Sequence, residues 1–121
     1  MMSFAFWMVT LAAAMGAGLA FLFLKPAPRS ALLAAVHGIA GASGFGLLIW
    51  ALQTPDLRAD ALGVGAFAEY AAVLIGMALV VGLVIGFGPV RIRRSRGLLI
   101  AIHGTIAVSG FVLLMAYRSL G

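Results

Sequence analysis

Four long apolar stretches, roughly Ala5–Leu24, Ala31–Leu52, Ala61–Gly88 and Leu98–Tyr117, make up most of this chain. Each meets the ~20 residues that a helix needs to cross the hydrocarbon of a bilayer. A soluble domain of 121 residues cannot hide a composition that is 64% hydrophobic and 9% charged, with a mean hydropathy of +1.20, because a small fold leaves much of its surface outside. The expected fold is therefore an all-α membrane protein, with residues 1–121 as one transmembrane domain. The third stretch ends in Gly86-Phe87-Gly88-Pro89, so its last turn is expected in the interface. The first has no basic residue before Lys25 and is read as an uncleaved helix rather than a signal peptide.

The formal charge of +5 sits in the loops, where basic residues orient a membrane protein; a nucleic-acid partner is not expected. Lys25 and Arg29 lie in the first loop, and Arg91, Arg93, Arg94 and Arg96 in the third. Arg58 and Arg118 lie on the other side with Asp56 and Asp60. The positive-inside rule then puts the first and third loops in the cytoplasm and both termini outside, with a bacterial inner membrane as the expected setting. Cysteine is absent, which excludes disulfides, iron–sulfur clusters and thiolate metal sites. There is no nucleotide loop, hydrolase triad or phosphate-binding glycine motif.

Compared with itself, the chain repeats at an offset of 66 residues. Leu32-Leu33-Ala34-Ala35-Val36-His37-Gly38 aligns with Leu98-Leu99-Ile100-Ala101-Ile102-His103-Gly104, and Ser43-Gly44-Phe45 with Ser109-Gly110-Phe111. Ten of the twenty residues from 31 to 50 are identical to their partners; leucines match cheaply, but His, Ser and Phe do not. The preceding stretches match faintly, at Gly16 with Gly82, Phe21 with Phe87 and Lys25 with Arg91. The repeat unit is thus a helical hairpin, 1–55 and 67–121. Two spans separate the copies, so they run parallel about an axis along the membrane normal. The expected architecture is a four-transmembrane-helix up-down bundle of two parallel hairpin repeats, with the second and fourth spans on a diagonal.

His37 and His103 are the only histidines and occupy equivalent positions, about six residues, or roughly 9 Å, into their helices. An imidazole at that depth needs a partner. Steps of three and four residues from His37 reach Ala34, Ala40, Gly41, Gly44 and Leu48; from His103 they reach Ile100, Ile106, Ala107, Gly110 and Leu114. Two readings stay open. Gly41, Gly44, Ala107 and Gly110 can let backbones approach, the histidines merely hydrogen-bonding within a structural or transport protein. Alternatively these small residues leave room for a flat cofactor held by His37 and His103 across the bundle. Diagonal helices lie about 12–14 Å apart when neighbours pack at 8–10 Å, too wide for the imidazoles to touch but suited to two imidazoles with an iron between them. A bare ion would find too few ligands. Haem propionates would need cations, and Arg29, Arg94 and Arg96 are the nearest, about two turns away.

The paired histidines, His37 and His103 at one depth on two helices, resemble those of four-helix membrane b-type cytochromes. The resemblance implies haem b and an electron-transfer role, as a cytochrome or as the membrane subunit of an oxidoreductase rather than a stand-alone enzyme. A redox partner subunit or a quinone would then exchange electrons with it. Two-haem members of that type use four histidines; with two, this chain implies one haem.

Glu69 is the only acid inside an apolar run. Such carboxylates mark proton or substrate routes, but this one lies within about two turns of the outer surface and can reach headgroups. Trp7, Trp50, Tyr70 and Tyr117 fall near the outer boundary and read as interface anchors. Ser43 and Ser109 are expected to bond back to the carbonyls of Ile39 and Thr105.

The topology is directly testable. A reporter enzyme that works only in the periplasm should be active when fused after Gly121, and a fluorescent protein that folds only in the cytoplasm should stay dark there. The opposite pair of results would invert the orientation.

Overall fold

The computed structural model describes every residue except 27, 29, 55 and 90–93, so Arg29, Arg91 and Arg93 lie outside the described residues. Five helices follow in order: α1 (Met2–Leu24), α2 (Ala31–Leu52), α3 (Leu57–Ala61), α4 (Gly65–Phe87) and α5 (Arg96–Leu120). Four of them, all but α3, are long and apolar enough to cross a membrane. Lipid offers the backbone no hydrogen bonds, so a helix that closes its own ladder is the natural solution for each stretch. At 22 to 25 residues the four are about 33–38 Å long, ample for a bilayer core.

The ends of the helices follow from local chemistry. Pro26 follows α1 directly after Lys25 and cannot continue it. Ser30 caps α2, its Oγ accepting from Leu33 N at 3.1 Å. Asp56 caps the short α3, with Oδ1 accepting from the N–H groups of Arg58 and Ala59 at 3.2 and 3.1 Å. The third spanning helix is therefore shorter than the expected Ala61–Gly88. Residues 57–61 form a separate helical turn, Gly63 takes a left-handed φ of 70°, and the long helix starts at Gly65. Gly88 and Pro89 end it as expected. The first and fourth spans extend a few residues beyond their apolar runs, α5 taking in Arg96 and Arg118.

Helices α1 and α2 pack tightly as one hairpin and α4 and α5 as another; α2 touches α4, and α1 touches α5, much more sparsely. The ring order α1–α2–α4–α5 is an up-down bundle with α2 and α5 on a diagonal. Equivalent residues of the two hairpins build its centre: Ala5 and Ala71, Val9 and Ile75, Ala12 and Ala78, Gly44 and Gly110, Leu48 and Leu114 are all buried. Leu48 and Leu114 are the largest fully buried side chains. Most other large apolar side chains face outward, as lipid contact allows.

Lipid removes most of the hydrophobic drive for helices to associate, leaving close van der Waals approach. A Cβ added to Gly44 would lie 2.8 Å from Val9 Cγ2 and 3.1 Å from Val9 N; one added to Gly110 would lie 2.9 Å from Ile75 Cγ1 and 3.2 Å from Ile75 N. The same backbone contact thus holds both hairpins. Gly44→Ala and Gly110→Ala should each destabilise the detergent-solubilised protein by about 1–3 kcal/mol through overpacking. Gly46 has open space around it, so Gly46→Ala should be neutral or stabilise by up to about 1 kcal/mol through helix propensity. Thermal unfolding followed by circular dichroism compares the three, and equal effects would refute the contact.

Candidate functional site: a histidine pair in the seam between hairpins

The imidazole of His37 on α2 hydrogen-bonds the carbonyl oxygen of Ala12 on α1, with Nδ1 2.9 Å away. That of His103 on α5 makes the same bond to Ala78 on α4, at 2.8 Å. Both donor and acceptor positions are 66 residues apart, so the contact is one design used twice. A carbonyl oxygen only accepts; each Nδ1 must therefore carry the proton and donate. In the neutral ring this leaves Nε2 unprotonated with its lone pair unused, and Nε2 has no protein partner among the described residues.

The two rings lie opposite each other, with centroids 6.0 Å apart and planes at 79°. Two neutral imidazoles of this tautomer cannot hydrogen-bond each other, because both Nε2 atoms are acceptors. The hydrogen bonds of the histidines instead stay inside each hairpin, and across the seam the two rings meet without a hydrogen bond.

The small residues around the histidines serve packing. Gly44 and Gly110 are occupied by the backbones of α1 and α4, and a Cβ on Gly41 would meet Ala12 Cβ at 3.9 Å; Ala107 is half-buried. At Gly44 and Gly110 the space expected toward the termini is thus filled by the neighbouring helix of each hairpin. Toward the basic loops the bundle is different. Among the described residues, none from 13–26, 30–39, 79–89 or 94–109 is buried. The histidines sit just past the last buried layer, Ala12, Ala40 and Ala78, where the bundle opens. Half-buried equivalents line that level and the next turn: Gly16 and Gly82, Leu19 and Ile85, Leu33 and Leu99.

Of the arginines singled out by sequence, Arg94 is exposed. Arg96 is half-buried and donates from Nη2 to the carbonyl of Ile85 at 3.2 Å, capping the last turn of α4. Sequence reasoning passed over Ala12 and Ala78, whose contribution is a backbone carbonyl; their only trace is that they too are identical at the offset of 66. Gly16 and Gly82 had a signal, as one of the few identities in the faint half of the repeat.

At the opposite end, Glu69 is exposed and lines a cavity of about 110 Å³ with Asp56, Asp60 and Tyr117. Trp7, Trp50 and Tyr70 are exposed, as interface anchors would be; Tyr117 is not, at 7% exposure. Its hydroxyl donates to Asp56 Oδ2 at 2.8 Å, so it ties α5 to the loop before α3. Ser109 Oγ donates to Thr105 O at 2.8 Å, whereas Ser43 makes no such bond among the described residues. No group of three or more His, Cys, Asp or Glu side chains able to hold a metal ion occurs among them. No family model, curated protein or solved structure matches the chain.

The Asp56 carboxyl is held below its ordinary range by the Ala59 N–H and then by the Tyr117 hydroxyl. A depressed carboxylate contributes stability above the unfolded value, about pH 4, and loses it as pH falls toward the folded one. Wild type should therefore exceed Asp56→Asn in thermal stability at pH 6–7, with the gap closing on acidification below about pH 4. A gap that is constant with pH would show that the charge at Asp56 does not matter.

Proposed function

We propose that this chain is a haem-binding membrane protein, in which His37 and His103 would together hold one b-type haem in the seam between hairpins. The observation that carries the reading is the pair of imidazoles with centroids 6.0 Å apart, each fixed through Nδ1 and each with Nε2 unpartnered among the described residues. A carbonyl on the far ring nitrogen is the usual outer partner of a metal-ligating histidine. Two imidazoles are too few to hold a bare ion, so the metal would come within a group that supplies further ligands of its own. When bound, such a group supplies reversible one-electron transfer.

The chain's own residues would hold and orient it. The open, apolar half of the bundle beside Leu19, Leu33, Ile85 and Leu99 offers a dry border. Arg94 and Arg96 at the basic end are the cations for the propionates; Arg29 joins them on sequence position alone. With the basic loops cytoplasmic, the single centre lies toward the cytoplasmic face. An electron carrier serving one face, or exchanging with a quinone or a partner subunit in the bilayer, fits better than one that conducts across it. A purely structural reading, in which each histidine staples its own hairpin, rests on the same two hydrogen bonds and requires colourless protein.

Purified protein expressed with ample haem should show a low-spin, bis-imidazole reduced spectrum and one haem per chain by the pyridine haemochrome assay. His37→Ala or His103→Ala should abolish that spectrum or make it high-spin. Arg94→Gln combined with Arg96→Gln should weaken haem retention while membrane insertion is preserved. Colourless wild type leaves the structural reading; two haems per chain would overturn the single site.

A further inference from the structure

We propose that Gly16 and Gly82 are positioning residues of the histidine pair. Their bare Cα faces let each imidazole lie flush against the neighbouring helix, where Nδ1 reaches the carbonyl one turn earlier and Nε2 is left as the ligand nitrogen. A Cβ on Gly16 would stand 3.0 Å from His37 Cε1 and 3.5 Å from its Nδ1; on Gly82 it would stand 3.1 Å from His103 Cε1 and 3.4 Å from its Nδ1. Contacts of 3.0–3.4 Å are tighter than nine in ten real Cβ contacts, so a methyl at either site obliges the ring to give way by a few tenths of an ångström. The carbonyls of Ala12 and Ala78 lie four residues before these glycines, on the same helix faces, so the ring that rests on the glycine is the ring that meets the carbonyl. Both contacts recur at the offset of 66, although α1 and α4 share few other identities. Gly18 has nothing within 4 Å of an added Cβ, so helix packing in general does not explain Gly16.

The consequence is chemical. A histidine freed from its carbonyl can carry its proton on either nitrogen, and the Nε2–H form has no lone pair at Nε2 to offer a metal. Seat and carbonyl together select the tautomer before any metal arrives. The role in ligation rests on the haem reading, but the tautomer does not, and the test separates them. In haem-free protein labelled with ¹⁵N-histidine, NMR should show both rings with Nδ1 protonated and Nε2 bare. Gly16→Ala should displace the His37 ring resonances alone, Gly82→Ala those of His103 alone, and Gly18→Ala neither, with circular dichroism confirming an unchanged helix content. Haem affinity should fall about 10–100-fold in the first two variants, as for other outer partners of metal ligands. An Nε2–H tautomer in wild type, a reading independent of whether any variant folds, would overturn the proposal. So would unmoved His37 resonances in folded Gly16→Ala. Wild type that shows the expected ring pattern but takes up no haem would uphold the seat and overturn the haem reading.

Discussion

Close contact between backbones inside each hairpin is the constraint on which this structure depends. Lipid tails are as apolar as leucine, so burying leucine gains little there, and attraction must come from atoms that fit at short range. Gly44 against Val9 and Gly110 against Ile75 bring α2 onto α1 and α5 onto α4. That approach sets the height of each helix against its neighbour, and with it the match of His37 to Ala12 and of His103 to Ala78. A hairpin held further apart would leave both imidazoles short of their carbonyls and free to turn.

Above that level the two hairpins share a layered centre built from paired residues, ending in Leu48 and Leu114. Below it they share little, and the histidines mark the boundary. Apart from the Arg96 contact with Ile85 at the basic end, polar contacts between elements gather mainly in two places. One is the imidazole pair in the seam; the other is the termini end, where Asp56, Tyr117 and the short α3 close the bundle with hydrogen bonds that headgroup-level water can also reach.

Much of this could be read from residues alone, because membrane spans and duplicated motifs are strong signals. The four helices, their up-down order and the diagonal placement of His37 and His103 follow from apolar length, loop length and the offset of 66. What could not be read was how a small residue is used. Gly44 and Gly16 are both glycines on inward faces, yet one admits a backbone and the other an imidazole, and only the partner helix decides which. The break at residues 62–64 was also hidden, because Ala61-Leu62-Gly63-Val64 is as apolar as the helix it precedes. Tyr117 looked like an anchor because position near an interface cannot reveal a hydrogen bond to Asp56.

The sparse contact between hairpins has a further meaning. Two separate copies of one such hairpin would meet as a symmetric pair, and every change in one would be imposed on both faces of the seam. Joining them through residues 53–64 fixes the ratio of the halves at one to one and frees each from serving both sides. The outer walls of α1 and α4 have drifted apart in sequence, while His37 and His103, their glycines and their carbonyls stay in step. Asymmetry is thus available on the outer walls, while the histidine layer and the glycine contacts inside each hairpin keep the two halves in step.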